Sequence, residues 1–331
     1  VRYDGLHLFL FLSVGDSSMG KAIITGVDGN FGSYAARSIL NKLSKKDLIF
    51  TSPNKAAIEK YQKQGIDARY ADYTNPGELA QAFRGGDILL LISVPQVGEK
   101  RRNMHKNAID AAVAAGVKKI IYTSYVGTGD PENGCYQMPD HQYTEEYIKS
   151  TGLKYVFLRN AQYCEAMVAA FEQAVNSGGV LANNMGDGRM AHISRDDCAE
   201  AAACVAAGAG EENKIYYITG ITANTMEEFV AIASEVTGRK VAYKFIDDEQ
   251  MYAFFDSKGV PRKTDGDWSK ADPAFPFCSD GMVTAGIAIR KGQMRYCTND
   301  YETLTGKKPL SVRKIFENIE RYKIGKRTPT D

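Results

Sequence analysis

The sequence predicts an α/β protein, a doubly wound parallel sheet with a smaller, mostly helical C-terminal domain. Three observations lead there. A short apolar run at residues 22–24 meets glycines at 26, 29 and 32 and then passes into a helical pattern over 33–43. Strand-like and helix-like segments alternate regularly from there to residue 160. Within them, residues 88–94 are almost wholly apolar, as a central parallel strand covered on both faces requires. This alternation implies right-handed crossovers, and 331 residues are enough to bury a large core. Together the three describe a Rossmann-type domain.

The elements follow in order. Residues 47–51 read as the second strand, 54–64 as a helix stopped at Gly65, and 67–70 as the third strand. Residues 76–83 form a short helix that opens on Pro76 and closes before Gly85 and Gly86, the usual placement of these two residue types. The fourth strand is followed by a long helix at 100–115 ending at Gly116, a fifth strand at 119–124, a helix at 144–151 and a sixth strand at 155–158. Past Asn160 the character changes. Residues 161–177 and 195–207 are Ala-rich helices around a loop-like stretch with a short apolar piece. Residues 214–219 form a strand able to rejoin the sheet. Thr225 and Glu228 make a capping box for a helix over 225–237. Residues 239–331 hold more aromatic and basic residues, with Pro261, Pro273 and Pro276, and read as a small domain over the C-terminal edge of the sheet. The expected division is therefore 19–160 for a nucleotide-binding domain, with 213–220 returning to its sheet, and 161–331 for a substrate domain. Residues 1–18 read as a non-native or disordered extension, with an N-terminal strand or arm as the alternative. Their apolar piece, 8–12, is too short to span a bilayer or to serve as a signal peptide.

Composition narrows the partners. Lys plus Arg number 41 and Asp plus Glu 40, so the net charge of +1 offers no footprint for nucleic acid or an anionic membrane. The six cysteines show no Cys-x-x-Cys pair and no Cys/His ligand spacing; they read as free thiols of a cytoplasmic protein, and no metal is expected. The expected partner is a small aromatic molecule, with a homodimer as a further option.

The glycine turn predicts phosphate binding. Gly26 permits a tight turn, Gly29 lets backbone N–H groups approach a pyrophosphate, and Gly32 lets the helix pack close to the sheet with its positive end toward the anion. Asn30 and Phe31, between them, count among the cofactor contacts. Enzymes that use NAD place an acid about 20 residues on, for the ribose hydroxyls. Residues 48–58 contain none, whereas Thr51, Ser52, Asn54 and Lys55 suit a 2′-phosphate. NADPH is therefore the expected cofactor, with NADH possible. Ser93, Val94 and Pro95 follow strand four and should lie along the dinucleotide.

Several segments resemble the NmrA-like atypical short-chain dehydrogenase/reductases, and within them the triphenylmethane-reductase-like proteins. They are the turn at 25–32, Ala71-Asp72-Tyr73, residues 116–122, Thr144-Glu145-Glu146-Tyr147, residues 155–160 and residues 299–309. The resemblance covers about residues 19–322 and rests on the order and spacing of these pieces. It implies NADPH-dependent reduction or NADP sensing. It also implies that Asp72 and Tyr73 lie on the adenine side, that Ser124 is the strand-five serine, and that Asn160 and Ala161 form the nicotinamide-side loop.

The Tyr-x-x-x-Lys pair of most short-chain reductases is missing. Alignment on Glu145 and Arg159 puts His141 where many relatives have Lys, and Gln137 where Tyr would stand. The one Tyr-x-x-x-Lys, at Tyr322 and Lys326, lies in a basic tail far from this helix. His141 is then the candidate proton donor, since an imidazole titrates near neutrality; otherwise it is a surface residue at a helix start. Tyr125, Tyr136 and Tyr143 are further donors. Tyr163 could flank the nicotinamide, and His192 should pack at the domain junction. With 19 Tyr, 14 Phe and 10 Met, an aromatic cleft including Met138, Phe254, Phe255 and Trp268 would suit a flat substrate. The sequence thus points to an NADPH-dependent reductase passing a hydride to an aromatic or conjugated molecule such as a quinone, enone, ketone or dye. The alternative is an NADP(H)-sensing binding protein without turnover.

Overall fold

The strand that enters the glycine turn is also the centre of the molecule. In the computed structural model, which describes residues 20–275 and 277–323, β1 (Ala22–Ile24) pairs in parallel with β2 (Leu48–Ser52) on one side and β4 (Ile88–Leu91) on the other. Ala22 stands opposite both Leu48 and Ile88. Every residue of these three strands is buried, which is why they read as unbroken apolar runs. Adding β3 (Asp67–Tyr70), β5 (Lys119–Tyr125), β6 (Lys154–Asn160) and β8 (Lys214–Ile218) gives seven parallel strands in the order β3-β2-β1-β4-β5-β6-β8. The order reverses between β1 and β4, so their carboxyl ends open the crevice where such sheets bind ligands.

Side-chain alternation divides the core in two. Ala22, Ile24, Phe50 and Leu90 face α1 (Asn30–Ile39), α2 (Lys55–Lys63), α6 (Cys164–Asn176) and α7 (Arg195–Ala206). Ile23, Ile49, Leu89 and Leu91 face α3 (Pro76–Phe83), α4 (Glu99–Ala114) and α5 (Met138–Ser150). Truncating one of the larger of these strand residues, such as Ile24 or Leu90, to Ala would cost roughly 2–5 kcal/mol.

The chain past residue 160 divides between two layers. β8 pairs with β6, and α7 packs against α1, so both build on the large sheet. A second, two-stranded parallel sheet joins β7 (Val180–Asn183) to β9 (Ala242–Phe245), pairing residues 62 positions apart, which local pattern did not suggest. α8 (Met226–Thr237) carries the expected capping box from Thr225 and Glu228. Beyond it, α9 (Asp248–Ser257) and α10 (Ser279–Arg290) enclose a small core of Met251, Phe255, Val260 and Val283. α11 (Asp300–Thr305) and α12 (Val312–Glu317) return to α7 and α8.

One local expectation changes the site. Helix α5 begins at Met138, not at Thr144, with Pro139 in its first turn and Met138 N–H bonded to the Cys135 carbonyl. His141 is thereby wound into the helix and buried, so it is not a surface residue at the helix start. The reading of residues 1–18, and Lys326 of the tail motif, lie outside the described residues.

Candidate active site

Of the three glycines in the turn, the fold demands two. Gly26 has φ of +57°, which favours glycine. A Cβ on Gly32 would lie 1.9 Å from the Gly26 carbonyl oxygen, so α1 could not pack as it does. Gly29 is different. Its φ is −73°, and a Cβ there would meet its nearest atom at 3.4 Å, an ordinary contact. Nothing in the fold forbids a side chain at 29; one would project into the space before α1. Gly29 is also the N-cap of α1, where no side chain caps the helix and no acid lies in the first turn. The free N–H groups and the helix dipole form a cradle that fits a pyrophosphate. Asn30 is exposed beside it, and Phe31 is buried against the Tyr163 ring at 6.4 Å.

The end of β2 departs from expectation. The buried Ser52 hydroxyl donates to an Asp28 carboxylate oxygen and accepts from Asn54 N–H at 2.9 Å. The Asn54 side chain caps α2 through the N–H groups of Ala56 and Ala57. Of the four residues expected to hold a 2′-phosphate, Ser52 and Asn54 are thus engaged within the turn. Lys55 remains exposed, 5.9 Å over the Tyr70 ring. An acid does reach this point, Asp28, delivered from the glycine turn 24 residues earlier.

The loop after β4 is tied down by side-chain acceptors. Ile92 N–H donates to Thr25 Oγ1, Ser93 N–H to Thr123 Oγ1 at 2.8 Å, and Val94 N–H to His105 Nε2 at 3.1 Å. Gly98 N–H donates to Asp140 Oδ2 at 2.6 Å. The Thr144 hydroxyl donates to the Asp140 carbonyl, so it accepts from His105 Nδ1–H, and His105 is a neutral tautomer with Nε2 free for Val94. Burial and Arg101 hold its pKa well below 6.5. Pro95 is exposed at the crest of this loop. Of the two residues expected on the adenine side, Asp72 accepts with one oxygen from Thr74 N–H and hydroxyl, while Tyr73 is buried with its carbonyl held by Asn107.

Beyond β5 the expected residues separate into groups. Ser124 donates to Glu145 at 2.6 Å, and Glu145 forms a two-pronged pair with Arg159 at 3.0 and 2.7 Å. Neither Glu145 nor Arg159 drew attention in the sequence except as alignment marks. His141 Nδ1 lies 2.8 Å from the Tyr122 hydroxyl, and Nε2 lies 3.4 Å from Arg101 Nη1. Arginine has only donors, so Nε2 accepts, and the ring proton sits on Nδ1 toward Tyr122. Burial, then Arg101 and His105, hold the imidazole pKa well below 6.5. The expected proton donor is therefore neutral at pH 7 with both nitrogens occupied. The Tyr122 and Tyr125 rings flank it, each with its centroid 5.9 Å away.

Tyr125 faces Gln137, Cys135 and Tyr163, and burial keeps its hydroxyl protonated. Asn160 Nδ2 donates to the Tyr163 hydroxyl at 3.3 Å, and buried Ala161 is fixed by its N–H to Ile218. Phe31, Tyr125, Asn160 and Tyr163 thus gather near the end of the sheet. Tyr136 belongs to another wall: its N–H donates to Thr284 of α10, and Cys278, Asp265 and Asp280 surround its hydroxyl. Tyr143 stacks on Tyr147 along the outer side of α5, away from the site. His192 packs on the Phe229 ring, and burial lowers its pKa to about 4. Among the described residues, no three His, Cys, Asp or Glu side chains converge as a metal site.

A family model described as NAD(P)H-binding matches residues 26–208, from the first glycine through α7. The chain belongs to the NAD(P)H-binding family. Quinone oxidoreductase 2 of Escherichia coli (strain K12) is 35% identical to it over 238 residues, 72% of this chain and 82% of that protein. An NmrA-like family domain-containing oxidoreductase of Aspergillus flavus is 27% identical over 300 residues, 88% of this chain and 92% of its own. The crystal structure of Citrobacter sp. triphenylmethane reductase complexed with NADP(H) superposes with a TM-score of 0.79 at 29% identity, covering 90% of this chain and 99% of that one. This NAD(P)H-binding protein is an NmrA-like atypical short-chain reductase, as its motif order led us to expect, and an NAD(P)H-dependent oxidoreductase. No helix among its described residues is long and apolar enough to cross a membrane.

Proposed function

We propose that this NmrA-like protein is a cytoplasmic reductase that passes a hydride from NADPH directly to an electrophilic carbon of an aromatic or conjugated acceptor, such as a quinone, an enone, a ketone or a dye. The observation that carries this reading is the neutral, fully engaged His141 at the position where a proton-donating system would stand. A site without a strong acid suits acceptors whose negative charge is delocalised after hydride addition. The names of the Escherichia coli and Citrobacter relatives support the same substrate class, and six unpaired cysteines support the compartment.

Bound at the glycine turn, the dinucleotide supplies the hydride. The bare N-terminus of α1 and the space kept open by Gly29 receive its pyrophosphate, with Asn30 and Gly32 beside it. Lys55 meets the 2′-phosphate at the end of β2. The loop at Ser93, Val94 and Pro95, fixed by Thr123 and His105, borders the dinucleotide along β4. Tyr125, Tyr163 and Asn160 border the nicotinamide end. His141 orients Tyr122 and Tyr125 and does not itself give up a proton. Holding donor and acceptor carbons in contact then supplies much of the acceleration.

The test is NADPH oxidation by the purified protein with benzoquinone, a cyclic enone and a cationic triarylmethane dye. Turnover with the quinone and the dye is expected. No oxidation with any acceptor, in a protein that binds NADPH, would refute the reading.

A further inference from the structure

A buried charge beside His141 has no ion pair among the described residues. Arg101, in the first turn of α4, is 6% exposed. Its Nη1 reaches the neutral His141 Nε2 at 3.4 Å, and its Nε is buried with no hydrogen-bond partner. Among the described residues, no carboxylate lies within 4 Å of it. The nearby acid, Asp140, is engaged by Gly98 N–H at 2.6 Å and by Arg102 Nε at 3.5 Å. Burying a cation is costly unless it is paired. Arginine cannot shed the charge as a lysine would.

The surroundings say where a counter-charge would come from. Tyr122, Asp140, Tyr136 and Cys278 lie around Arg101, with the Asp140 carboxylate beyond ion-pair distance, so it sits between β5, α5 and the start of α10. Val97 N–H, in the β4–α4 loop, is held by Thr264 of the small domain at 3.2 Å. Arg101 therefore sits where the β4–α4 loop, α5 and the small domain meet, next to the His141 ring, which in turn faces Tyr125.

We propose that Arg101 is the oxyanion-binding group of the site, pairing with the oxygen of a carbonyl conjugated to the carbon that is reduced. The proposal rests on the reductase reading above. Hydride addition brings two electrons and one hydrogen to the acceptor, and the charge comes to rest on that oxygen while the dinucleotide is oxidised. The guanidinium stabilises the O⁻ with a charged hydrogen bond and keeps its own protons; water delivers the proton that completes the product. The same charge repels a cationic acceptor. Arg101 thus sets specificity by sign, favouring neutral oxygen-bearing acceptors over cationic dyes.

Arg101→Met and Arg101→Lys test this with two readouts, and an unchanged NADPH affinity identifies folded variants. In Arg101→Met, kcat/KM for benzoquinone should fall by about 10²-fold or more, as for loss of an oxyanion donor, while kcat/KM for the cationic dye holds or rises. Arg101→Lys keeps the charge but shortens its reach, so it should lose roughly tenfold on quinone and nothing on the dye; it decides the matter if the Met variant does not fold. The second readout is benzoate binding to the NADP⁺-loaded protein. Arg101→Met should weaken it by about tenfold or more and leave benzamide nearly unchanged. Equal losses on quinone and dye, or benzoate binding indifferent to Arg101, would overturn the proposal. If the parent protein oxidised NADPH with no acceptor, the reductase reading would fail, and the benzoate comparison would still decide the role of Arg101.

Discussion

Ser52, the last residue of β2, donates its hydroxyl to Asp28 in the glycine turn. A carboxylate therefore stands at the end of β2, although residues 48–58 contain none. An acid there accepts from a 2′-hydroxyl and opposes a 2′-phosphate. Lys55 supplies the opposite charge. NADPH should bind more tightly than NADH, but by a margin that Asp28 limits. Asp28→Asn should widen that margin roughly tenfold, the effect of about 1.4 kcal/mol of relieved repulsion. Fluorescence titration of both dinucleotides against both proteins measures it. A margin that stays the same or narrows would contradict the assignment.

Gly29 and Gly32 make a matched pair. Gly29→Val should leave the chain folded, since its Cβ meets only an ordinary contact, and should abolish dinucleotide binding by filling the cradle. Gly32→Ala should instead unfold or strongly destabilise the protein, because its Cβ would run into the Gly26 carbonyl. Melting curves and titrations on the two variants separate the roles. A folded Gly29→Val protein that still binds NADPH would make the turn merely structural.

For His141 the geometry predicts a positioning effect. His141→Asn should slow a neutral enone and a cationic dye to a similar degree, because it disturbs Tyr122 and Tyr125 for both. The kcat/KM profile of the parent protein should show no ionisation near pH 6.5, since the imidazole stays neutral when buried. A proton donor would instead give a selective loss on the enone and a titration lost in the variant.

Stability should fall as acid is added, with a sign set by buried histidines. The pKa of His192 is about 4 in the folded chain against 6.5 unfolded. Above pH 6.5 both states are neutral, and the stability is fully present. As pH falls from 6.5 toward 4, only the unfolded chain takes up the proton, so stability drops by roughly 3 kcal/mol from this residue. His105 and His141 act in the same direction. Denaturation midpoints across this range should fall less steeply for His192→Leu than for the parent. Parallel curves would count against the assignment.

How far the sequence could be read follows from the range of the interactions. The β1–α1 turn, the order of strands and helices to residue 160 and the Thr225/Glu228 capping box are local, and each formed as its own pattern suggested, the start of α5 apart. β8 was legible because Ile215 to Ile218 are all β-branched or aromatic, although only Tyr216 and Ile218 are buried. What escaped depended on distant residues. β7 and β9 are half-exposed strands, each stabilised by the other. The early start of α5 was hidden by Pro139, which suits a first turn as well as a loop. Asp28 reaches Ser52 only through the fold. Arg101 gave no signal at all, since one basic residue among Lys100, Arg101 and Arg102 reads as a solvated helix start until burial singles it out.

The central claim is direct hydride transfer to carbon at this site, and isotope transfer tests it most directly. The protein is supplied with NADPH carrying deuterium at both C4 positions, together with a cationic triarylmethane dye, and the product is analysed by mass spectrometry. The account predicts one non-exchangeable deuterium on the central carbon of each reduced dye molecule. Reduced dye without deuterium would contradict it.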